Sequence, residues 1–340
     1  MLQAVAGTRG SLRRRILVAT YVVVASAAVL GAVEWLARRR NHFGYIRSDS
    51  PEIVYELRRG YPDHNSAGYR DHEYARAKKP GVFRVIGLGD SYTYGAGVER
   101  DQVFLKVAER LLAEDPGAGR VEILNFGLPG ANTAMEAAML AQRTADWDPD
   151  LVVIQWCRND FNLPNFIQTD ANGLVAHSFA LHELLSGLAV RWPTFVKSRV
   201  MAYDYDEDVF PVPGLQHVPM IDQNPIGDPA QVPERYQYML GGEGVQAALL
   251  RIARESERRG VPVIYLLGWG GEDQEVAEWA RMAGLEVLDI WSPVAERFVG
   301  GYGVFQDLWV APADGDNHPN VEGHGIIGAA LAAAIRPHLR

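Results

Sequence analysis

Residues 84–97, Arg-Val-Ile-Gly-Leu-Gly-Asp-Ser-Tyr-Thr-Tyr-Gly-Ala-Gly, turn an apolar run into an exposed hydroxyl within a few positions. Arg84 to Leu88 is short, apolar and rich in β-branched residues, and Gly89, Gly95 and Gly97 then break the pattern. This reads as a strand entering a loop and then a helix. In open α/β sheets ligands bind beyond the carboxyl ends of the strands, so Ser91 stands where contact is made. A serine here is also a good cap for the next helix. The blocks further along the chain decide between the two readings.

Downstream, strand and helix signals alternate. Val103–Glu114 has helical apolar spacing, Val121–Phe126 is a second strand, Ala134–Arg143 a helix, and Leu151–Trp156 a third strand apolar enough to be covered on both faces. After an interruption come a helix over Gly244–Arg259, a strand over Val261–Leu267, a helix over Asp273–Ala283, a strand over Glu286–Ile290 and an alanine-rich helix over Val321–Ile335. Strands separated by helices imply a parallel sheet. The fold expected is α/β, a doubly wound, flavodoxin-like sheet of five parallel strands.

The interruption, residues 161–242, contains eight prolines, with Leu174–Phe195 as helix candidates and Asp204, Asp206, Glu207 and Asp208 as an acidic loop. Placed directly after the third strand, it lies at the carboxyl edge and reads as a cap that selects substrate. Residues 41–80 are polar and punctuated by Pro and Gly, and read as an irregular lead-in packed on the body. Their His64 and His72 have no ligand-like spacing and are expected on the surface. The organisation expected is thus 1–40 as basic tail and anchor, 41–80 as lead-in, and 81–340 as the main domain with its cap.

Ile16–Val33 is an 18-residue apolar run without charge, about the minimum for a membrane span. Arg13–Arg15 precede it, and Trp35 and Arg38–Arg40 follow. The competing reading is a cleavable signal peptide ending near Ala25-Ser26-Ala27. A single-pass N-terminal anchor with the body exported is the simpler reading, because the run continues past that point. The first forty residues carry seven arginines against Glu34 alone, a net of +6, which leaves −15 of the total of −9 for the remainder. So acidic a body is a poor partner for nucleic acid. One cysteine, Cys157, excludes an intrachain disulfide and a multi-cysteine zinc cage.

Four blocks fall at or just beyond strand ends: Gly89-Asp90-Ser91; Asn125 to Thr133, with Gly127, Pro129 and Gly130; Cys157-Arg158-Asn159-Asp160; and Asp314 to Asn320, with His318. In this order they resemble the SGNH (GDSL-type) hydrolase family, whose name lists a serine, a glycine, an asparagine and a histidine from four such blocks. The resemblance covers Arg84 to the C-terminus apart from the cap, and implies the corresponding fold. It puts the nucleophile at Ser91 and the general base at His318, with an oxyanion hole made of the Ser91 and Gly130 backbone N–H groups and the Asn159 amide. A serine hydroxyl needs a base to remove its proton, and the base needs a carboxylate to fix its tautomer. The family's common aspartate position, three before the histidine, is Gly315 here. Asp316 takes the role, with Asp314 as the alternate. Asp90 and Asp160 are read as structural hydrogen-bonding residues. Trp156, Arg158 and Trp192 are candidates either for the pocket wall or for packing.

The resemblance implies a serine esterase that hydrolyses acyl esters, O-acetyl groups among them, on carbohydrate or lipid through an acyl-enzyme. It requires neither metal nor organic cofactor. Two other readings remain: an O-acyltransferase using the same residues toward an envelope or exported polysaccharide, and a non-catalytic binding domain.

Overall fold

Apolar runs spaced by helical segments form a parallel sheet in the computed structural model, which describes residues 2–39, 44–170, 173–179, 181, 212–218, 232–267, 274–290, 306–311 and 316–339. The chain divides into two units, one of residues 1–47 and 169–216, the other of residues 48–168 and 217–340.

The second unit holds the sheet: β1 (Val82–Leu88), β2 (Arg120–Asn125), β3 (Leu151–Gln155), β4 (Val263–Leu267) and β5 (Glu286–Asp289). The order is β2-β1-β3-β4-β5, the flavodoxin-like arrangement, and every neighbouring pair is parallel. Pairing of Gly87 with Asn125 and of Leu88 with Ile154 aligns the carboxyl ends of the three strands on one edge. The strand order reverses at β1 and β3, which makes their carboxyl ends the switch point where open α/β sheets bind ligands. Strand limits differ from expectation by one or two residues. At β4 the cause is Pro262, which has no N–H for a ladder and holds the strand start to Val263.

Side chains alternate between the two sheet faces. Val85, Ile123, Val153, Ile264 and Leu266 join Phe104, Leu105, Ala108 and Leu112 of α3 (Phe104–Ala113) and Ile327, Leu331 and Ile335 of the C-terminal helix Val321–Ile335 in one core. Against the opposite face lie two helices that pack on each other, Thr133–Arg143 and Gly241–Arg259. The C-terminal helix has the limits its sequence predicts, with Asn320 as N-cap accepting from Gly323 N at 3.0 Å.

The lead-in is fastened to the loop that carries Ser91. Arg70, half-paired with Asp63 at 2.8 Å, donates to the carbonyls of Tyr94, Gly95 and Val98 at 3.2, 2.8 and 2.8 Å. The Asp71 carboxylate accepts from Asn125 N at 2.7 Å and pairs with the buried Lys106 at 2.8 Å. His64 is not on the surface as expected. It is buried, with Nε2 3.1 Å from the Tyr94 hydroxyl and Nδ1 3.2 Å from the Arg58 carbonyl. Burial lowers its pKa, and two partners inside the fold occupy both ring nitrogens. His72 is exposed and pairs with Asp101 at 2.8 Å. Replacing Arg70 by Met removes a buried charge that four acceptors were arranged around, and is expected to cost about 3 kcal/mol, measured by denaturant unfolding.

The first unit contains α1 (Leu2–Arg39). Its stretch Arg14–Leu36 is long and apolar enough to cross a membrane, and its side chains are unburied. Glu34 accepts from Ser178 Oγ at 2.9 Å and from Phe179 N at 3.1 Å. Arg47 donates to the carbonyls of Thr169 and Gly214. A cavity of about 150 Å³ in this unit is lined by residues that include Arg47, His177 and Phe179, and by none of the expected site residues. Most of Leu174–Phe195, with Trp192, and the acidic cluster Asp204–Asp208 lie outside the described residues.

Candidate active site

Asp90 starts the short helix α2 (Ser91–Tyr94) by accepting from Tyr92 N at 2.9 Å. Ser91 is the first residue of that helix, so the strand-to-helix change puts its hydroxyl at the sheet's carboxyl edge. Gly89 makes the turn possible. A Cβ there would lie 2.1 Å from Thr93 Oγ1 and 3.0 Å from Gln155 Oε1, and Thr93 and Gln155 are themselves bonded at 3.0 Å. Asn125 then ties β2 to the same helix, donating to the Thr93 carbonyl at 2.7 Å and accepting from Gly127 N at 2.8 Å.

His318 approaches from the other end of the chain. It lies on a short strand, Asp316–Pro319, paired antiparallel with Trp309–Ala311. Its Nε2 is 2.8 Å from Ser91 Oγ, across 227 positions of sequence. The Tyr92 ring meets the imidazole edge-on, with centroids 5.2 Å apart. With Nδ1 protonated, Nε2 is an acceptor for the serine proton. Asp316 shares the strand, two positions before the histidine, but its side chain lies outside the described residues, as does Asp314.

The second block turns at Gly130, with φ +71°, where a Cβ would sit 2.0 Å from Asn165 Cγ. Asn165 N donates to the Gly130 carbonyl at 3.0 Å and Tyr55 Oη to the Pro129 carbonyl at 2.9 Å, which hold the turn from both sides. Asn132 caps the next helix, accepting from Met135 N at 3.0 Å. Gly130→Ala therefore combines a strained φ with a clash. If the Gly130 N–H is the oxyanion donor that the family resemblance implies, the substitution lowers kcat by about 10²-fold or more; its cost in stability is expected to be about 1–3 kcal/mol. Steady-state kinetics and thermal unfolding check the two effects separately.

Cys157 opens the third block on extended backbone, with φ −133°, which any residue adopts. Cys157 N lies 3.4 Å from Asp160 Oδ2, and the turn Arg158–Phe161 follows. Thr133 Oγ1 donates to the same Asp160 oxygen at 2.8 Å. Burial, reinforced by the charges of Asp90 and Asp160, pushes the Cys157 thiol well above its ordinary value. It is therefore no thiolate nucleophile. Trp156 is buried and meets Phe161 edge-on, so it packs in the core, while Arg158 is exposed.

Asn159 is half-buried, and its amide donates to the Asp90 carboxylate, as does the Cys157 thiol. An amide nitrogen carries two hydrogens, so one remains for another acceptor. Burial raises the Asp90 pKa, opposed by the Tyr92 N–H, by His318 and by these two donors. The structure thus brings Ser91 and His318 into hydrogen-bond contact and links Asn159 to the residue preceding Ser91. Among the described residues no group of three or more His, Cys, Asp or Glu is placed to hold a metal ion.

The sequence pattern did not single out Arg70, Asp71, Glu136 or Asn165. Asn165 follows Pro164 in a segment read as cap, and only the fold shows it against Gly130.

No curated protein matches the chain. Among solved structures it is similar to the lipase/acylhydrolase from Enterococcus faecalis, at 17% identity over 75% of this chain and 96% of that one, with a TM-score of 0.41. It is also similar to an acetylxylan esterase from Geobacillus stearothermophilus, at 16% identity over 74% and 94%, with a TM-score of 0.42. These likenesses are weak beside the family match. The model of the GDSL-like Lipase/Acylhydrolase family covers residues 88–326, from the end of β1 past His318. More than half of the chain is matched, and the chain belongs to this family of ester-bond hydrolases.

Proposed function

We propose that the chain is a serine esterase that hydrolyses acyl esters through an acyl-enzyme on Ser91. The observation that carries the reading is the 2.8 Å contact between His318 Nε2 and Ser91 Oγ. His318 takes the hydroxyl proton as the oxygen attacks the ester carbonyl. Negative charge then builds on the carbonyl oxygen, facing the N–H groups of Ser91 and Gly130 and the free hydrogen of the Asn159 amide, each donor contributing about 10²–10³ in rate. Collapse of the tetrahedral species expels the alcohol, which receives the proton from His318. Water then repeats the sequence on the acyl-enzyme and frees the acid and Ser91. Asp316 holds the imidazole in the Nδ1–H tautomer.

The substrates are acyl esters of carbohydrate or lipid, O-acetyl groups included. Residues 14–36 anchor the enzyme in a membrane, with the body on the outer side. The test is the full-length protein in detergent, given an activated acetyl ester and an acetylated oligosaccharide, with and without an acceptor sugar. Release of acetate supports the esterase. Acetyl transfer to the sugar identifies an acyltransferase on the same residues, and no turnover of either ester supports a binding domain.

A further inference from the structure

Beneath the nucleophile lies a sealed set of acids that the steps above do not use. Asp90, Glu136 and Asp160 are 1%, 0% and 1% exposed, and the charges of Asp160 and Asp90 both act on Glu136. Three carboxylates this close and shut from water cannot all ionise. Their hydrogen bonds decide which one stays neutral. Asp90 accepts from Tyr92 N and from the Asn159 amide. Asp160 accepts from Thr133 Oγ1 and, at longer range, from Cys157 N. Both carboxyl oxygens of Glu136 are buried with no hydrogen-bond partner. A charge costs most where nothing solvates it, so the proton belongs on Glu136.

We propose that Glu136 is a neutral positioning residue that carries the proton of this group. Asp90 and Asp160 are thereby left as charged acceptors that hold the Asn159 amide and the Cys157–Phe161 turn beside Ser91. The inference rests on the oxyanion role of Asn159 proposed above. The groups around the acids come from four elements: Asp90 after β1, Cys157 and Asp160 after β3, Thr133 one turn earlier on Glu136's own helix, and Tyr265 of β4, 3.3 Å from the Thr133 hydroxyl. His318 acts one step further out, through Asp90. Burial first, then the charges of Asp160 and Asp90, hold the Glu136 carboxyl well above its ordinary 4.5. Ionising Glu136 would put a further negative charge under the site where the oxyanion forms and lower kcat.

The test compares full-length wild type with Glu136→Gln, which replaces the neutral acid by an uncharged group of the same shape. A raised pKa in the folded state means that folding retains a proton between the ordinary value and the raised one, so wild type loses stability through that window as pH rises. The variant has no such loss. Its Tm is expected to match wild type near pH 4 and to move progressively above it as pH climbs past 4.5. At pH 7 its kcat stays within about twofold of wild type with KM unchanged, and its activity persists further into alkali. A Tm difference that is constant, or that shifts in favour of wild type as pH rises, overturns the proposal. Infrared spectra of wild type alone give a second reading: a protonated-carboxyl band at pH 7 is expected, and its absence overturns the proposal even if the variant does not fold. Neither the Tm nor the infrared result depends on turnover, so absence of esterase activity would count against the enzyme reading and not against the proton assignment.

Discussion

Ser91→Ala is expected to lower ester turnover by about 10⁶-fold while leaving the fold intact. In the proposed mechanism the hydroxyl oxygen becomes covalently bound, and no neighbour can replace it: the Cys157 thiol is buried and held protonated, and Thr93 Oγ1 is committed to Gln155. The variant loses the contact with His318 and a 3.5 Å approach to Asp90. Ser91 is half-buried, so the stability change should stay within about 1 kcal/mol. His318→Ala should match the loss, and the double variant should be no worse than either, because the two residues act as one unit. Initial rates on an activated acetyl ester, with Tm as the control for folding, decide this. Loss of Tm in parallel with activity would reduce Ser91 to a capping residue of α2.

Asp316→Asn is expected to cost about 10⁴-fold in kcat with little change in KM, because an amide permits the wrong imidazole tautomer. Asp314→Asn should leave kcat within about threefold. Asp316 is the residue proposed for the role: it begins the strand Asp316–Pro319, two positions before His318, and alternate residues of a strand share a face. Gly315, at the family's common spacing, has no carboxylate to offer. Equal losses in both variants, or a large loss only in Asp314→Asn, would move the orienting role upstream. The pair is read by kcat and KM on one ester at fixed pH.

The sheet was legible because its central strands, β3 and β4, are buried along their whole length and carry their own signal. Leu151–Gln155 is apolar at four of its five positions, and such runs between helical segments admit few other folds. The meeting of Ser91 with His318 was legible because each sits in a block with a recognisable neighbour pattern. The residues that support them were not, since their roles depend on partners far away in sequence. Arg70 looks like any charge in a polar lead-in, and only folding shows it donating to carbonyls 24, 25 and 28 positions later. Glu136, in the first turn of its helix, reads as an ordinary acid that complements the helix dipole, yet that part of the helix is buried all round. His64 misled for the same reason: a histidine in a polar segment suggests solvent, while the Tyr94 hydroxyl that draws it inward lies 30 residues away.

The central claim, that His318 activates Ser91 for attack on an acyl carbonyl, is tested most directly by mass spectrometry after treatment with a serine-directed phosphonate. The account predicts a single adduct on Ser91 in wild type, none in Ser91→Ala, and much slower labelling in His318→Ala. An unlabelled Ser91 in the folded wild-type protein, or labelling at Ser91 that proceeds equally fast without His318, would contradict it.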